Sequence, residues 1–392
     1  MNPSVYLLAA ASFVVGTVEL IIGGVLIYIA ADLQVSVSQT GQLISVYSLV
    51  YALAAPLLLS FTARIERKRL YIGSLLVFLA GCLTSALSPN YAVLLLSRIV
   101  LAASGSLMTV LSVTIAAKLV AKPFRGRAIG LISMGISGSL VLGVPIGIVV
   151  SQYLGWRAIF HLVSALAALT LIGVCTRLPR VAPEQVLSIR EQLRSLKYAK
   201  IISAHMVTVL VLAGHLTLYA YLAPFLQTAL HLGSTGISLV YFVFGIAAVM
   251  GGGIGGWVTD KWPSPNFILV ITGVFACALF LLPFATFLPA AFMALLALWS
   301  LLSWAVTPAQ QQYLIRTAPK TSDIQLGLNS STSHIGIALG SSIGGLVIET
   351  HGAVYNAWLG AAIAGLAFAC AAYSISRPAI SEQTDMDLSR TD

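Results

Sequence analysis

One carboxyl in this sequence stands where a carboxyl is expensive. Glu19 lies inside an apolar run, as Val18-Glu19-Leu20, whereas Asp32, Glu66, Glu184, Glu191, Asp260, Asp323 and the tail acids lie in or beside polar connections and Glu349 near the end of a run. A charged, unpartnered carboxyl in hydrocarbon is costly, so such a group tends to hold a proton and releases it when its surroundings change. That is the chemistry of a proton carrier; the competing reading is a permanently protonated packing residue. Arg98, in Ser97-Arg98-Ile99-Val100-Leu101-Ala102, is the buried cation to set beside it. A guanidinium keeps its charge, so Arg98 acts as a fixed charge that tunes a neighbour or caps backbone carbonyls, or is structural.

A second group of residues suits recognition of a flat ligand. His215 and Tyr219 are four apart and share one helical face, with Tyr221 beyond them. Trp299, Trp304 and Gln310, Gln311 and Gln312 fall on one later run, and Asn329, Ser333 and His334 on the next. Aromatic faces stack on a heteroaromatic ring and amides bond its edge, although the same residues also occur in ordinary membrane bundles. The expected substrate contacts are His215, Tyr219, Tyr221, Trp304, Gln311, Asn329, Ser333 and His334.

Other chemistry is not carried. Gly251-Gly-Gly253-Ile-Gly-Gly256 fits a dinucleotide pattern but no strand precedes it. Gly135-Ile-Ser137-Gly138 and Gly340-Ser-Ser342-Ile-Gly344 imitate serine-nucleophile motifs inside apolar runs, where small residues serve packing. Cys82, Cys175, Cys277 and Cys370 fall singly in apolar runs and read as packing residues without disulfides or metal-ligand spacing. No enzyme, cofactor or metal is implied.

The elements that hold these residues follow from composition. The chain is 392 residues, 58% hydrophobic and 8% charged, far from the roughly one-quarter charged residues of soluble domains. Apolar stretches long enough to cross about 30 Å of hydrocarbon recur throughout. Twelve spans are expected: 5–28, 42–62, 70–88, 91–116, 128–152, 158–176, 201–227, 236–257, 267–287, 291–314, 325–349 and 354–375. The first is too long for a signal-peptide core and lacks a basic leader, so it is expected to be retained. The net charge of +9 does not point to nucleic acid: of the 21 Lys and Arg, all but Arg98 and Arg157 fall in alternate loops or the tail. The positive-inside bias therefore puts both termini in the cytoplasm.

The connection from Arg177 to Lys200 is basic, contains Pro179 and Pro183, and reads in part as an amphipathic surface helix through Leu187, Ile189, Leu193 and Leu196. It divides an N-terminal six-helix bundle (1–178) from a C-terminal one (201–376), with a linker over 179–200 and a disordered tail over 377–392. Adding 197 to first-half positions recovers second-half ones: Gly130 to Gly327, Gly143 to Gly340, Gly147 to Gly344, Gly155 to Gly352 and Arg64 to Lys261. The fold class is thus all-α membrane protein, twelve helices in two pseudo-symmetric bundles. Parallel repeats of this kind surround a midplane site that faces each side in turn.

Over its whole length the chain resembles the major facilitator superfamily, specifically its twelve-span drug:proton antiporter branch. Gly256-Trp-Val-Thr-Asp260-Lys261 is similar to the family's inner-loop motif, which latches the bundles in one state. In the first-half counterpart, Leu59 and Ala63 replace the motif's glycine and aspartate, with Glu66 as substitute. The resemblance implies a conformational latch of Arg64, Glu66, Arg67, Asp260 and Lys261. It gives Arg98 a part in proton transfer alongside Glu19. It also makes Gly135, Gly143, Pro145 and Gly147 the antiporter helix, kinked, glycine-faced and packed against the partner bundle.

More narrowly, Val18-Glu19-Leu20, Ile65-Glu66-Arg67-Lys68-Arg69-Leu70-Tyr71, Leu212-Ala-Gly-His215-Leu-Thr-Leu-Tyr219-Ala-Tyr221 and Pro308-Ala-Gln-Gln-Gln-Tyr313-Leu-Ile resemble bacterial purine base and nucleoside efflux pumps. That resemblance implies proton-driven export of purines and their ribosides from a bacterial plasma membrane, with a multidrug or sugar exporter as the alternative. The expected partners are a small-molecule substrate, protons and the lipid bilayer, with no nucleic acid, and one chain working as a monomer.

Overall fold

The computed structural model describes residues 3–121, 124–183, 195–262 and 264–378. Among them every regular element is helical. Twelve helices are long and apolar enough to cross a membrane. They are α1 (Pro3–Leu33), α2 (Val37–Phe61), α3 (Arg67–Ala86), α4 (Tyr91–Lys118), α5 (Arg125–Leu154), α6 (Arg157–Arg177), α7 (Ala199–Tyr219), α8 (Ser234–Lys261), α9 (Ser264–Leu281), α10 (Pro289–Thr317), α11 (Ser322–Thr350) and α12 (Ala353–Ser376). All twelve expected spans are present. The surface helix expected through Leu187, Ile189 and Leu193 and the tail from residue 379 lie outside the described residues.

Local chemistry sets the ends. Ser36 and Gln39 form a capping box at α2, Glu66 caps α3 by accepting from the backbone of Lys68 and Arg69, and Asn90 caps α4 through Val93. Two interior irregularities matter for the site. In α5 a π turn at Ser139–Gly143 precedes Pro145. The expected span 201–227 is broken: Pro224 has no N–H to donate to Ala220, so α7 stops at Tyr219 and a short helix resumes at Leu222–Ala229.

The duplication is visible in three dimensions. In the first half α5 packs on α1 and in the second α11 packs on α7. Cβ atoms added at Gly143 and Gly147 would strike Thr17 and Ile21 of α1, and those at Gly340 and Gly344 would strike Ala213 and Thr217 of α7. Gly155 and Gly352 turn the chain with φ of 81° and 92°, a conformation that favours glycine at both equivalent corners. The glycine face of α5 therefore serves its own half, while the helix also packs on the other half through different residues. Contact with the other half comes from Leu140 and Val141 backbone against Gly245 of α8, and from Ser238 donating to Pro145 O at 3.0 Å. Gly251 and Gly255 in the run of glycines admit α10 backbone at Leu301 and Ala305, which is helix packing.

The halves meet along α2 with α11 and α5 with α8. The end of the bundle that carries the inter-half linker is called here the linker end and the opposite one the far end. Hydrogen bonds across the seam run from the far end, at Ser36 with Glu349 (2.5 Å) and Tyr28 with Ser234 (2.5 Å), to mid-depth, where Ser331 donates to Ala52 O at 3.0 Å.

Candidate functional site

A cavity of about 180 Å³ lies between the halves. The first half lines it with Glu19, Gly23, Ile44, Ser48, Ile136 and Leu140, the second with His215, Tyr219, Phe244, Ser303, Trp304, Thr307 and Ser333. Its carboxyl comes from one half and its aromatic rings from the other.

Glu19 has a partner that the sequence did not reveal. His334 Nε2, on α11, stands 3.3 Å from Glu19 Oε1 on α1, with the side chains 12% and 20% exposed. The separation is within ion-pair reach for a protonated imidazole; Nε2 has no aligned hydrogen bond. His334 Nδ1 lies 3.0 Å from Ser330 O, and since a carbonyl only accepts, Nδ1 carries hydrogen. The titratable proton of the pair therefore belongs at Nε2 or on Glu19. The imidazole is stacked on Tyr51, centroids 3.8 Å apart and planes within 9°.

Arg98 is fully buried and closes a circuit around this pair. Its Nη1 donates to Val18 O at 2.7 Å, holding the backbone next to Glu19, and its Nε reaches Leu43 O at 3.5 Å. Its guanidinium lies 4.2 Å from the Tyr47 ring, and Tyr47 neighbours Tyr51 at 6.1 Å. A fixed charge and two phenols thus back the Glu19 and His334 contact from one side.

On the second half, His215 and Tyr219 stack at 5.2 Å and 13°, and Phe244, Trp299 and Tyr241 surround them. His215 Nδ1, Tyr219 Oη and Trp299 Nε1 are buried without a hydrogen-bond partner among the described residues. Unmet buried polar atoms are costly; His215 and Tyr219 are lining residues of the cavity, whereas Trp299 is fully buried off it.

The remaining expected contacts divide. Trp304 and Ser333 line the cavity beside His215 and Tyr219. Three others stand elsewhere. Tyr221 is buried toward the far end, donating to Ser341 O at 2.8 Å. Asn329 is buried off the cavity and accepts from Thr208 at 2.7 Å. Gln311 is exposed, while its neighbour Gln310 turns inward and donates to Ala204 O. A rung missed in sequence, His205 with Gln325 at 2.8 Å, joins Asn329 and Thr208 between α7 and α11.

The expected latch residues are split between loops. Glu66 accepts from the backbone of Lys68, Arg69 and Val181, fastening α3 to the chain after α6. Desolvation opposes its charge, but those three donors and Arg69 outweigh it and hold the carboxyl below its ordinary value. Arg67 is buried and its N–H donates to Val181 O. Asp260 is exposed, and Lys261 Nζ lies 4.2 Å from the ring of Trp257 on its own helix. Among the described residues the ion pairs are Arg69 with Glu66, Arg157 with Asp32, and His334 with Glu19, so none joins Asp260 to the α2–α3 loop.

Fold and cavity define a two-half membrane transporter. Residues 8–323 match the Major Facilitator Superfamily, and the chain belongs to that family. It is 33% identical over 357 residues to the uncharacterized MFS-type transporter YbcL of Bacillus subtilis (strain 168), covering 91% of this chain and 92% of the relative. It is 29% identical over 359 residues to a probable sugar efflux transporter of Mannheimia succiniciproducens, covering 92% and 90%. Among solved structures it is similar to a D-xylose–proton symporter, with a TM-score of 0.78 at 16% identity over 94% of this chain and 96% of that one. It is also similar to a bacterial homolog of the human lysosomal transporter Spinster, at TM-score 0.76 and 16% identity, covering 95% and 96%.

Proposed function

We propose that this chain is a proton-coupled antiporter that exports a small, flat, uncharged solute of the purine base or nucleoside class by alternating access. The observation that carries the reading is the 3.3 Å contact between Glu19 and His334, which ties a titratable carboxyl that lines the cavity in one half to a titratable imidazole of the other. With a proton between them the pair is either an imidazolium beside a carboxylate or a neutral imidazole beside a carboxylic acid. Losing that proton leaves a carboxylate facing a neutral ring, and the electrostatic tie between the halves weakens. Proton arrival from the far side and release to the linker side are thereby linked to the movement that carries solute the other way.

The solute class rests on the second-half wall. The stacked pair His215 and Tyr219, with Trp304 and the hydroxyls of Ser303 and Ser333, offers ring faces and edge partners. The cavity is smaller than the 300–1,000 Å³ that houses drug-sized ligands, which favours a small solute over bulky drugs. A second reading, export of a sugar, is favoured by the name of one relative. We further propose a bacterial plasma-membrane location with both termini cytoplasmic, bundles divided at 178 and 201, and a monomer as working unit. Arg64, Glu66, Arg67, Asp260 and Lys261 then meet in the state opposite to this one.

The test is uptake of radiolabelled hypoxanthine into inverted vesicles with and without a pH gradient, competed by adenine, guanosine, xylose and a cationic dye. Gradient-driven uptake competed by purines alone supports the reading. Uptake of sugar with no hypoxanthine movement by folded protein rejects it in favour of the second.

A further inference from the structure

Tyr221 occupies the break in α7 and leans across the seam between the halves. Its hydroxyl donates to Ser341 O of α11 at 2.8 Å, and the Ser341 hydroxyl in turn bonds Ser45 of α2 at 2.7 Å. Three glycines make room for the phenol. A Cβ at Gly41 of α2 would stand 1.8 Å from Tyr221 Oη and 2.5 Å from Cζ. One at Gly345 of α11 would stand 2.6 Å from Oη, and one at Gly344 would stand 2.8 Å from Cε2. Real Cβ atoms do not approach this closely, so each glycine is a condition for the seated ring.

The partners sort by half. Ser341, Gly344 and Gly345 belong to the same half as Tyr221 and fix its pose; Gly41 belongs to the other half and is the hole that the tip enters. The hydrogen bonds across this part of the seam run through hydroxyls, at Ser36 with Glu349, Tyr28 with Ser234, Ser45 with Ser341 and Ser238 with Pro145 O, each worth only on the order of 1 kcal/mol net. Parting of α2 from α11 has in addition to extract a buried aromatic knob from a backbone hole.

We propose that Tyr221 is the gating residue of the far side: its phenol is seated against Gly41 while the cavity is shut to that side and leaves Gly41 when the cavity opens to it. The proposal rests on alternating access, but its test needs no substrate. Ser45→Cys, one turn below Gly41, is the reporter, in a chain whose Cys82, Cys175, Cys277 and Cys370 are replaced by alanine. Labelling by a membrane-impermeant maleimide applied from the far face is timed in vesicles.

With the gate intact labelling is slow. Gly41→Ala and Gly345→Ala each block seating and speed it on the order of tenfold, equivalent to about 1.4 kcal/mol. Adding Tyr221→Phe returns Gly345→Ala to slow labelling, because ring Cζ then stands at 3.5 Å, an ordinary contact, and the one other close atom, the Ser38 hydroxyl oxygen at 2.9 Å, moves away by a change of rotamer. It does not rescue Gly41→Ala, where Cζ itself stands at 2.5 Å. Tyr221→Ala, which adds no bulk, labels fast.

Unchanged labelling in Gly41→Ala or in Tyr221→Ala overturns the proposal, as does rescue of both glycine variants or of neither. Absent solute flux with the expected labelling pattern rejects the transport reading and leaves the gate.

Discussion

Glu19 and His334 meet across the boundary between two copies of a repeated unit, the carboxyl from α1 and the imidazole from α11, 3.3 Å apart. Neither copy contains the pair. His334 is held from behind by the Ser330 carbonyl and by the Tyr51 ring, and the backbone before Glu19 is held by Arg98, so both partners are fixed in place.

Glu19→Gln removes the titratable group and keeps the side-chain shape. Gradient-driven flux in vesicles falls by at least about tenfold, while exchange of labelled for unlabelled solute without a gradient persists. His334→Gln gives the same split between driven flux and exchange. Full gradient-driven flux in either variant removes that residue from the coupling machinery.

Tyr219→Phe preserves the stack on His215 and deletes only a hydroxyl that has no protein partner. On the proposed reading its bond is made to the solute, so KM rises roughly three- to tenfold, the worth of one hydrogen bond, with kcat little changed. The proton-to-solute ratio stays as in the wild type. An unaltered KM for every solute transported places the hydroxyl outside recognition.

Glu66 gives an acid limb to stability. Its carboxyl sits below its ordinary 4.5 because the donors of Val181, Lys68 and Arg69 favour the charged form over the desolvation that opposes it. The sign is that of a depressed acid: the stabilisation is fully present above 4.5 and is lost as pH falls through the lower folded-state value. Thermal unfolding of detergent-purified protein shows a Tm decline across that window that is shallower in Glu66→Gln.

Two glycines of α5 separate packing from propensity. A Cβ at Gly135 would stand 2.3 Å from Ala9 O of α1, whereas one at Gly130 meets nothing within 4 Å. Gly135→Ala forces α1 and α5 apart and costs about 1–3 kcal/mol. Gly130→Ala is neutral or stabilising by up to about 1 kcal/mol. Unfolding midpoints measured side by side distinguish the two.

The spans were legible because hydropathy is a local signal, and each helix announces itself in its own residues. The repeat was legible because Gly155 and Gly352 obey a backbone constraint that survives divergence. The break at Ala220 had a signal in Pro224, four residues on, hidden by the unbroken apolarity of the run. Rotation about a helix axis was less readable: Gln310 and Gln311 differ by about 100° of azimuth, and only packing shows which faces inward. Meetings between distant helices, such as Glu19 with His334 or Tyr221 with Gly41, depend on how both halves dock and leave no periodic trace in the chain.

The cavity walls are unequal, with the carboxyl on the first half and the His215, Tyr219, Phe244 and Trp304 rings on the second. The two halves therefore differ in what they bring to the cavity. On the proposed reading, a change of cargo has a target in α7, α8 and α10 that leaves α1 unaltered, so the coupling to an energy source stays intact while taste drifts.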